Sequence, residues 1–312
     1  MLPTYIINDY EKVIKPILLA AGLKEKSTKY HNKIYDDHVK FYFLMLKEET
    51  KKSYRDIVEF IKGNSLHRNL CLKKTPHFTT LQKFLNRLGK TVFRGIIAKI
   101  SEKFKEKGEI ISVDSTGIEI FFTSHHYVKR INGIKKKYAK VSAVLDVSTQ
   151  CIIDGYAEVS HKHDLKMLNY QFKNFSLDGY KFFVADKAYD SKDLFYFLKD
   201  NGVKMVVPLK KTKHTKKRIW KKHARKGSIL NRLREKLFDE DIYHKRSMSE
   251  TCFSSIKRRF GSSVNSVREE NIVKEAYLKI ILYNFSRLKK MSKSIFYILI
   301  RLLLRNSTEP FL

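Results

Sequence analysis

The chain has 312 residues, 43% of them hydrophobic, with only 5 Pro and 12 Gly. That composition supports a sizeable core and two domains, or one domain with large additions, and it excludes a long disordered linker. Lys and Arg number 64 against 32 acidic residues, a formal net charge of +32. Self-repulsion at that level opposes compactness, and a polyanionic partner relieves it. Nucleic acid is the first candidate and an anionic membrane surface the second. The most apolar tail stretch, residues 295–304, contains Arg301 and falls short of the roughly 20 apolar residues a span needs, so no membrane partner is expected. The N-terminus, MLPTYIINDYEK, has no basic start followed by an apolar run and does not read as a secretory signal. Cys71, Cys151 and Cys252 fit neither a disulfide framework nor a zinc pattern, which suits an intracellular protein with reduced thiols.

Residues 1–107 read as helical. Tyr54, Ile57, Val58 and Ile61 fall at i, i+3, i+4 and i+7, with Gly63 as a stop. A second helix follows, capped by Thr79 or Thr80, with Leu81, Phe84, Leu85 and Leu88 as its apolar stripe and Gly89 at its end. Its other face carries Gln82, Lys83, Asn86 and Arg87. That face suits the recognition helix of a helix-turn-helix, and equally an ordinary solvated helix.

From residue 109 the period changes. Residues 109–116, EIISVDST, read as a strand carrying Asp114. Residues 140–147 and 151–159 read as two strands joined around Ser148-Thr149-Gln150. Within SHKHD, His161, His163 and Asp164 allow a metal site, but Asp164 as N-cap of a helix over 163–175 is the simpler reading. A buried strand, KFFVA at 181–185, runs into Asp186; Ser191 can cap a helix ending near Asn201-Gly202. Residues 204–209, KMVVPL, form a further strand, placed at an edge by Pro208. Three strands, a helix, a strand, a helix and a strand predict an α/β fold, a mixed sheet with helices packed on it. A very basic segment follows at 210–236, and helical pattern resumes at 243–260 and 272–288. Trp220 lies inside the basic segment, where it can stack on an unpaired base or simply anchor the insert. His125-His126 carries no useful signal. The apolar stretch SIFYILIRLLLRN predicts a C-terminal helix over 291–312, packed on the core or in a dimer contact.

Asp114 and Asp186 share one context, an apolar strand ending in a carboxylate. Such a group is costly to bury unless it is paired or binds metal, although an Asp that caps a turn is the plainer alternative. Ligands of α/β sheets often lie beyond strand carboxyl ends. Two hard divalent cations held by carboxylates serve phosphodiester chemistry, and Mg²⁺ suits oxygen ligands. Glu250 is the candidate third carboxylate. Residues 243–257, YHKRSMSETCFSSIK, place Tyr243, Arg246, Glu250 and Lys257 at offsets 0, 3, 7 and 14, one face of a helix. The cations there can grip phosphates while the carboxylate binds metal; an amphipathic helix with a charged solvent face is the alternative.

These motifs carry a family resemblance. VDST at 113–116, VADKAYDS at 184–191 and YHKRSMSETCFSSIKRRFG at 243–261 resemble DDE transposases of prokaryotic insertion sequences, above all the group marked by a Tyr-Arg-Glu-Lys motif. The resemblance spans about residues 50–290. It implies a ribonuclease-H-like core over 108–290, preceded by a helical DNA-binding region over 1–107. It implies Asp114, Asp186 and Glu250 as catalytic metal ligands for two Mg²⁺ ions, with Mn²⁺ able to substitute. It further implies that Tyr243, Arg246 and Lys257 contact DNA phosphates near the cut; Trp220, Lys83 and Arg87 are the additional candidate DNA contacts. The implied partners are double-stranded DNA, both terminal inverted repeats and target, bound by a homodimer at the nucleoid of the cytoplasm. The chain departs from larger members in its short, basic insert at about 210–240, expected helical where they carry a long β-rich insertion. A DNA-binding protein without catalysis and a nuclease of the same fold are the rival functions.

Overall fold

The structure is a computed structural model that describes residues 10–23, 34–104, 108–120, 138–159, 162–210 and 234–306. Six helices come first. After a single π turn at Tyr10–Ile14 they are α1 (Lys15–Ala20), α2 (Asp37–Thr50), α3 (Tyr54–Gly63), α4 (Leu66–Asn69), α5 (Phe78–Arg87) and α6 (Lys90–Ser101). The expected stripe of α3 is buried through Ile57 and Ile61, and Ser53 caps it by accepting from the Asp56 amide. In α5, Leu81, Phe84 and Leu85 are buried as expected. Its cap is His77, whose ring accepts from the Thr79 amide, and neither threonine fills that place. The helix begins one residue before Thr79, so both threonines already lie in its first turn.

The sheet follows: β1 (Ile110–Ile120), β2 (Tyr138–Asp146), β3 (Ile152–Glu158), α7 (Asp164–Gln171), β4 (Phe182–Ala185), α8 (Lys192–Asp200) and β5 (Lys204–Val206). The strand order is β3-β2-β1-β4-β5. β1 to β3 form an antiparallel meander, and β4 and β5 run parallel to β1 and to each other. This is the mixed, helix-flanked sheet predicted above, in the ribonuclease-H-like order, with β5 at an edge. The loop of residues 146–151 is tied by Asp146, which accepts from the amides of Gly108 (2.7 Å) and Thr149 (3.0 Å) and from the Tyr180 hydroxyl (3.1 Å).

After the sheet come α9 (Glu240–His244), α10 (Ser247–Phe260), β6 (Ser263–Val264) and α11 (Glu269–Asn306). The single helix expected over 243–260 is thus two: a turn at Lys245 and Arg246 separates them. Conversely, the two C-terminal helices expected at 272–288 and 291–312 form one continuous helix as far as Asn306. β6 was not foreseen; its two residues pair in parallel with Glu119 and Ile120.

Strand alternation divides the core between the sheet's two faces. Ile111, Val113, Val144, Phe183 and Ala185 pack with Leu168, Leu194 and Leu198 of α7 and α8. Ile118, Ile120, Ala139, Val141, Ala143 and Leu145 face the other way, into a larger cluster. That cluster also takes in Phe41, Leu44, Ile57, Leu81, Phe93, Ile256, Tyr277 and Ile281. The helices before residue 105 and the sheet therefore share one hydrophobic core.

The edge strand β3 is closed by α11 rather than left open. The Asn284 amide nitrogen donates to Ile152 O (2.7 Å) and its oxygen accepts from Ile152 N (3.0 Å), while the Ala157 amide donates to the Tyr277 hydroxyl (3.2 Å). The approach is close enough that a Cβ at Gly155 would stand 2.9 Å from Ile280 Cδ1, so any larger residue there would have to displace the Ile280 side chain. No helix among the described residues is long and apolar enough to cross a membrane.

A buried ionic cluster joins three segments. Lys47 on α2 pairs with Glu48 (2.8 Å) and with Glu275 on α11 (3.1 Å); Lys279 pairs with Glu48 (3.3 Å) and donates to Phe260 O (2.5 Å). Glu275 also accepts from the amides of Asn265 (2.9 Å) and Ser266 (3.1 Å). Burial opposes the Glu48 charge, yet the two lysines hold its carboxyl below the usual range.

Candidate active site

Asp114 and Asp186 stand side by side because of strand register. β1 and β4 are parallel, with Val113 paired to Ala185, and each Asp is the next residue along its strand. Neighbouring strands lie about 4.8 Å apart, so the carboxylates start from adjacent backbone. Alternation turns Asp114 away from the α7–α8 side, toward α10, and Asp186 lies near enough for its charge to act on Asp114. Asp186 accepts from the Ala188 amide (2.7 Å) and so caps the 3-10 turn Lys187–Tyr189. Asp114 accepts from the Ser115 amide (2.8 Å). Asp186 thus caps a turn, the plainer alternative, while standing next to Asp114.

α10 carries Glu250 over the same face. The helix is pinned to β1 by a hydroxyl–hydroxyl hydrogen bond between Ser249 and Ser112 (2.5 Å), both buried. Ser112 and Asp114 share a strand face, and Ser249 directly precedes Glu250. Arg246, the N-cap of α10, donates from Nη2 to Glu250 Oε1 at 2.5 Å, and its Nη1 lies 3.9 Å from Asp114 Oδ2. Burial pushes the Asp114 carboxyl above its ordinary range. The Ser115 amide and Arg246 pull it down, while Asp186 and Glu250 are near enough to push it further up. Glu250 keeps a 55% exposed side chain against 19% for Asp114.

The cleft between β1 and α10 has a volume of about 630 Å³ and is lined by Asp114, Ser115, Thr116, Glu250, Phe253, Ser254, Lys257 and Arg258. Asp186 is beside it but not in its lining. Arg246, Glu250 and Lys257 lie along α10 as the spacing predicts. Tyr243 lies on α9, across the break, where its ring still sits 5.9 Å from the Arg246 guanidinium. Among the described residues no three His, Cys, Asp or Glu side chains are drawn together as a closed metal cage. The Glu250 carboxylate is turned to Arg246. The donor set itself is all carboxylate oxygen on one face, the kind hard divalent cations take, so the residues fit such ions.

Other expected residues are placed as follows. Lys83 and Arg87 are exposed on α5. Between them Asn86 accepts from Asn271 (2.6 Å), and Lys274 donates to Leu85 O (3.0 Å) and Asn86 O (3.1 Å), so the end of α5 is docked on α11. Trp220 and most of the basic segment, residues 211–233, lie outside the described residues; so does His161. Asp164 does not cap α7. His163 does, accepting from the Leu165 amide, because Asp164 is occupied: Ser115 donates to it and Lys140 pairs with it at 2.8 Å. Burial works against the Asp164 charge, but Lys140 and Ser115 hold its carboxyl low. Sequence reading missed this contact and also Tyr189. The phenol of Tyr189 is buried, and burial together with Asp164, Asp114 and Asp186 raises it well above its ordinary value. Its place in VADKAYD, three residues past Asp186, was the available signal.

The chain is similar to a piggyBac transposase solved by cryo-electron microscopy as a synaptic complex with hairpin DNA. Identity is 11%, coverage is 99% of this chain and 80% of that one, and the TM-score is 0.45. No curated protein matches the chain. A family model described as a transposase DDE domain matches residues 105–285, more than half of the sequence and all of the sheet, and the chain belongs to that family.

Proposed function

We propose that the protein is a transposase that cuts DNA at transposon ends and joins the freed ends to target DNA. Asp114, Asp186 and Glu250 are its catalytic carboxylates. The observation that carries the reading is register: two Asp side by side on adjacent parallel strands, Asp114 within β1 and Asp186 just past β4, under a helix that brings Glu250 and two cations to the same cleft. The three carboxylates would hold two Mg²⁺ ions, or Mn²⁺ in their place. Such ions, when bound, orient the attacking hydroxyl and stabilise the leaving oxygen. Arg246 and Lys257, with Tyr243 beside them, hold the phosphates of the scissile strand. Water attacks phosphorus, the P–O3′ bond breaks, and the 3′-hydroxyl so freed attacks a phosphodiester of the target. No covalent protein–DNA intermediate is required. A precut end supplied with target DNA tests the joining step: joined product supports a transposase, and cleavage without joining leaves a nuclease.

Lys83, Arg87 and Trp220 are proposed as further DNA contacts. With a net charge of +32, phosphate contacts dominate affinity. Neutralising several phosphates releases counterions, so binding should weaken by about 10³-fold or more between about 50 and 200 mM salt. Fluorescence anisotropy across that range checks it, and an affinity nearly independent of salt would contradict it.

A further inference from the structure

Arg246 serves two carboxylates at once. Its Nη2 bonds Glu250 at 2.5 Å, its Nη1 stands 3.9 Å from Asp114, and its side chain is 24% exposed. Lys257 and Arg258 line the same cleft, but among the described residues Arg246 is the cation that ion-pairs with these carboxylates. Burial works against its charge, but the Glu250 hydrogen bond together with the charges of Glu250, Tyr243 and Asp114 more than offsets it. The Arg246 fork is therefore an internal counter-ion for the carboxylate pair. It stands where a divalent cation shared by Asp114 and Glu250 would need to approach. A guanidinium and a divalent ion within a few ångströms repel each other, and Glu250 cannot present the same oxygen fully to both.

A guanidinium also has a natural alternative partner. A phosphate accepts its planar fork in the same bidentate way as a carboxylate, with more charge. The side chain lies at the turn between α9 and α10, at the edge of the cleft, and is not locked in the core. We propose that Arg246 couples the binding of divalent metal to the binding of DNA phosphate. Without DNA the guanidinium holds Glu250 and keeps metal affinity low. A phosphate entering the cleft draws it away, and Glu250 becomes free to ligate. Linkage makes the effect reciprocal: DNA tightens metal, and metal tightens DNA by the same factor. The consequence is that the full metal site assembles only where a DNA strand is already held, which suppresses cleavage of DNA met in passing.

This inference rests on the reading of Asp114, Asp186 and Glu250 as metal ligands, and its test separates the two. Free Mn²⁺ is measured by electron paramagnetic resonance with the full-length protein, with and without a duplex oligonucleotide, correcting for Mn²⁺ held by the duplex alone. Wild-type protein should bind Mn²⁺ weakly alone and about tenfold more tightly with the duplex, within the usual span of coupling factors. Arg246→Gln should bind Mn²⁺ more tightly than wild type without DNA and gain little when DNA is added. A merely structural Arg246 predicts the opposite sign, since a disturbed α10 would weaken metal binding. Arg258→Gln removes the same charge from the same cleft without freeing Glu250, and should keep the DNA-dependent gain. An Arg246→Gln protein that binds no tighter than wild type, or a gain lost equally in Arg258→Gln, overturns the coupling. Glu250→Gln reports on the underlying reading: unchanged Mn²⁺ affinity there overturns the metal site itself. Weakened affinity there, with no tightening in Arg246→Gln, overturns the coupling alone.

Discussion

Glu250→Gln should reduce strand cleavage by well over 100-fold while leaving DNA affinity intact. Loss of an outer partner of a metal ligand already costs about 10–100-fold, and this change removes a proposed ligand itself. The amide keeps the shape of the side chain and its place on α10, pinned by Ser249 to Ser112, but it lacks the negative charge that holds a divalent cation. Arg246 then has no carboxylate of Glu250 to engage and remains available to phosphate, so binding should hold or tighten slightly. Lys257→Ala should behave differently: weaker binding, with cleavage reduced rather than lost. Cleavage and gel-shift affinity measured on both variants with Mg²⁺ present make the comparison. Wild-type cleavage by Glu250→Gln would remove Glu250 from the site and leave the proposed chemistry without its third ligand.

Lys47→Met should destabilise the fold by about 3–5 kcal/mol, the usual cost of removing one partner from a buried ion pair. Lys47 is 3% exposed and stands between Glu48 and Glu275, themselves 6% and 1% exposed. Methionine has nearly the right length and no charge, so the two carboxylates lose a buried cation and keep Lys279, the Asn265 and Ser266 amides and the Ser266 hydroxyl. Against a typical stability of about 5–15 kcal/mol, that loss should be plain in a urea titration. A second change, Glu275→Gln, should recover part of it by removing one of the stranded charges. A loss below about 1 kcal/mol would mean that water reaches the cluster and screens it.

Much of the catalytic core was legible because its signals are local. An apolar run leading into Asp announces itself twice, at Asp114 and Asp186, although β1 runs on past Asp114 to Ile120; the order of strands and helices gave the mixed sheet. The spacing of Arg246, Glu250 and Lys257 placed them on one helix face. What was not legible depends on partners distant in sequence. Lys47 and Glu48 sit in LKEETKK, which reads as the solvated end of a helix; only the approach of Glu275 and Lys279 buries them. Ser112 and Ser249 look like minor polar residues, and their hydrogen bond exists only once α10 has docked. Asp164 reads as a cap until Ser115 and Lys140 claim it. The break before α10 carries no Pro or Gly at Lys245 or Arg246, so nothing in the sequence marks it. An apolar stripe on α3 or α5 predicts burial but not what lies opposite, and the shared core of the leading helices with the sheet could not be foreseen.

The clasp formed by Lys47, Glu48, Glu275 and Lys279 also limits how this protein can be re-engineered. Retargeting a DNA enzyme by exchanging its leading segment assumes that the segment is a detachable module. Here an exchange of everything before residue 105 would leave Glu275 and Lys279 with their α2 partners gone, and Lys279 is the residue that holds the Phe260 end of α10, on which Glu250 rides. A workable graft must therefore carry α2 and α6 over unchanged. The exchangeable part is narrower, the solvent-facing positions of α3, since Ile57 and Ile61 belong to the shared core, and any new specificity has to be written there or on the exposed Lys83 and Arg87 side of α5.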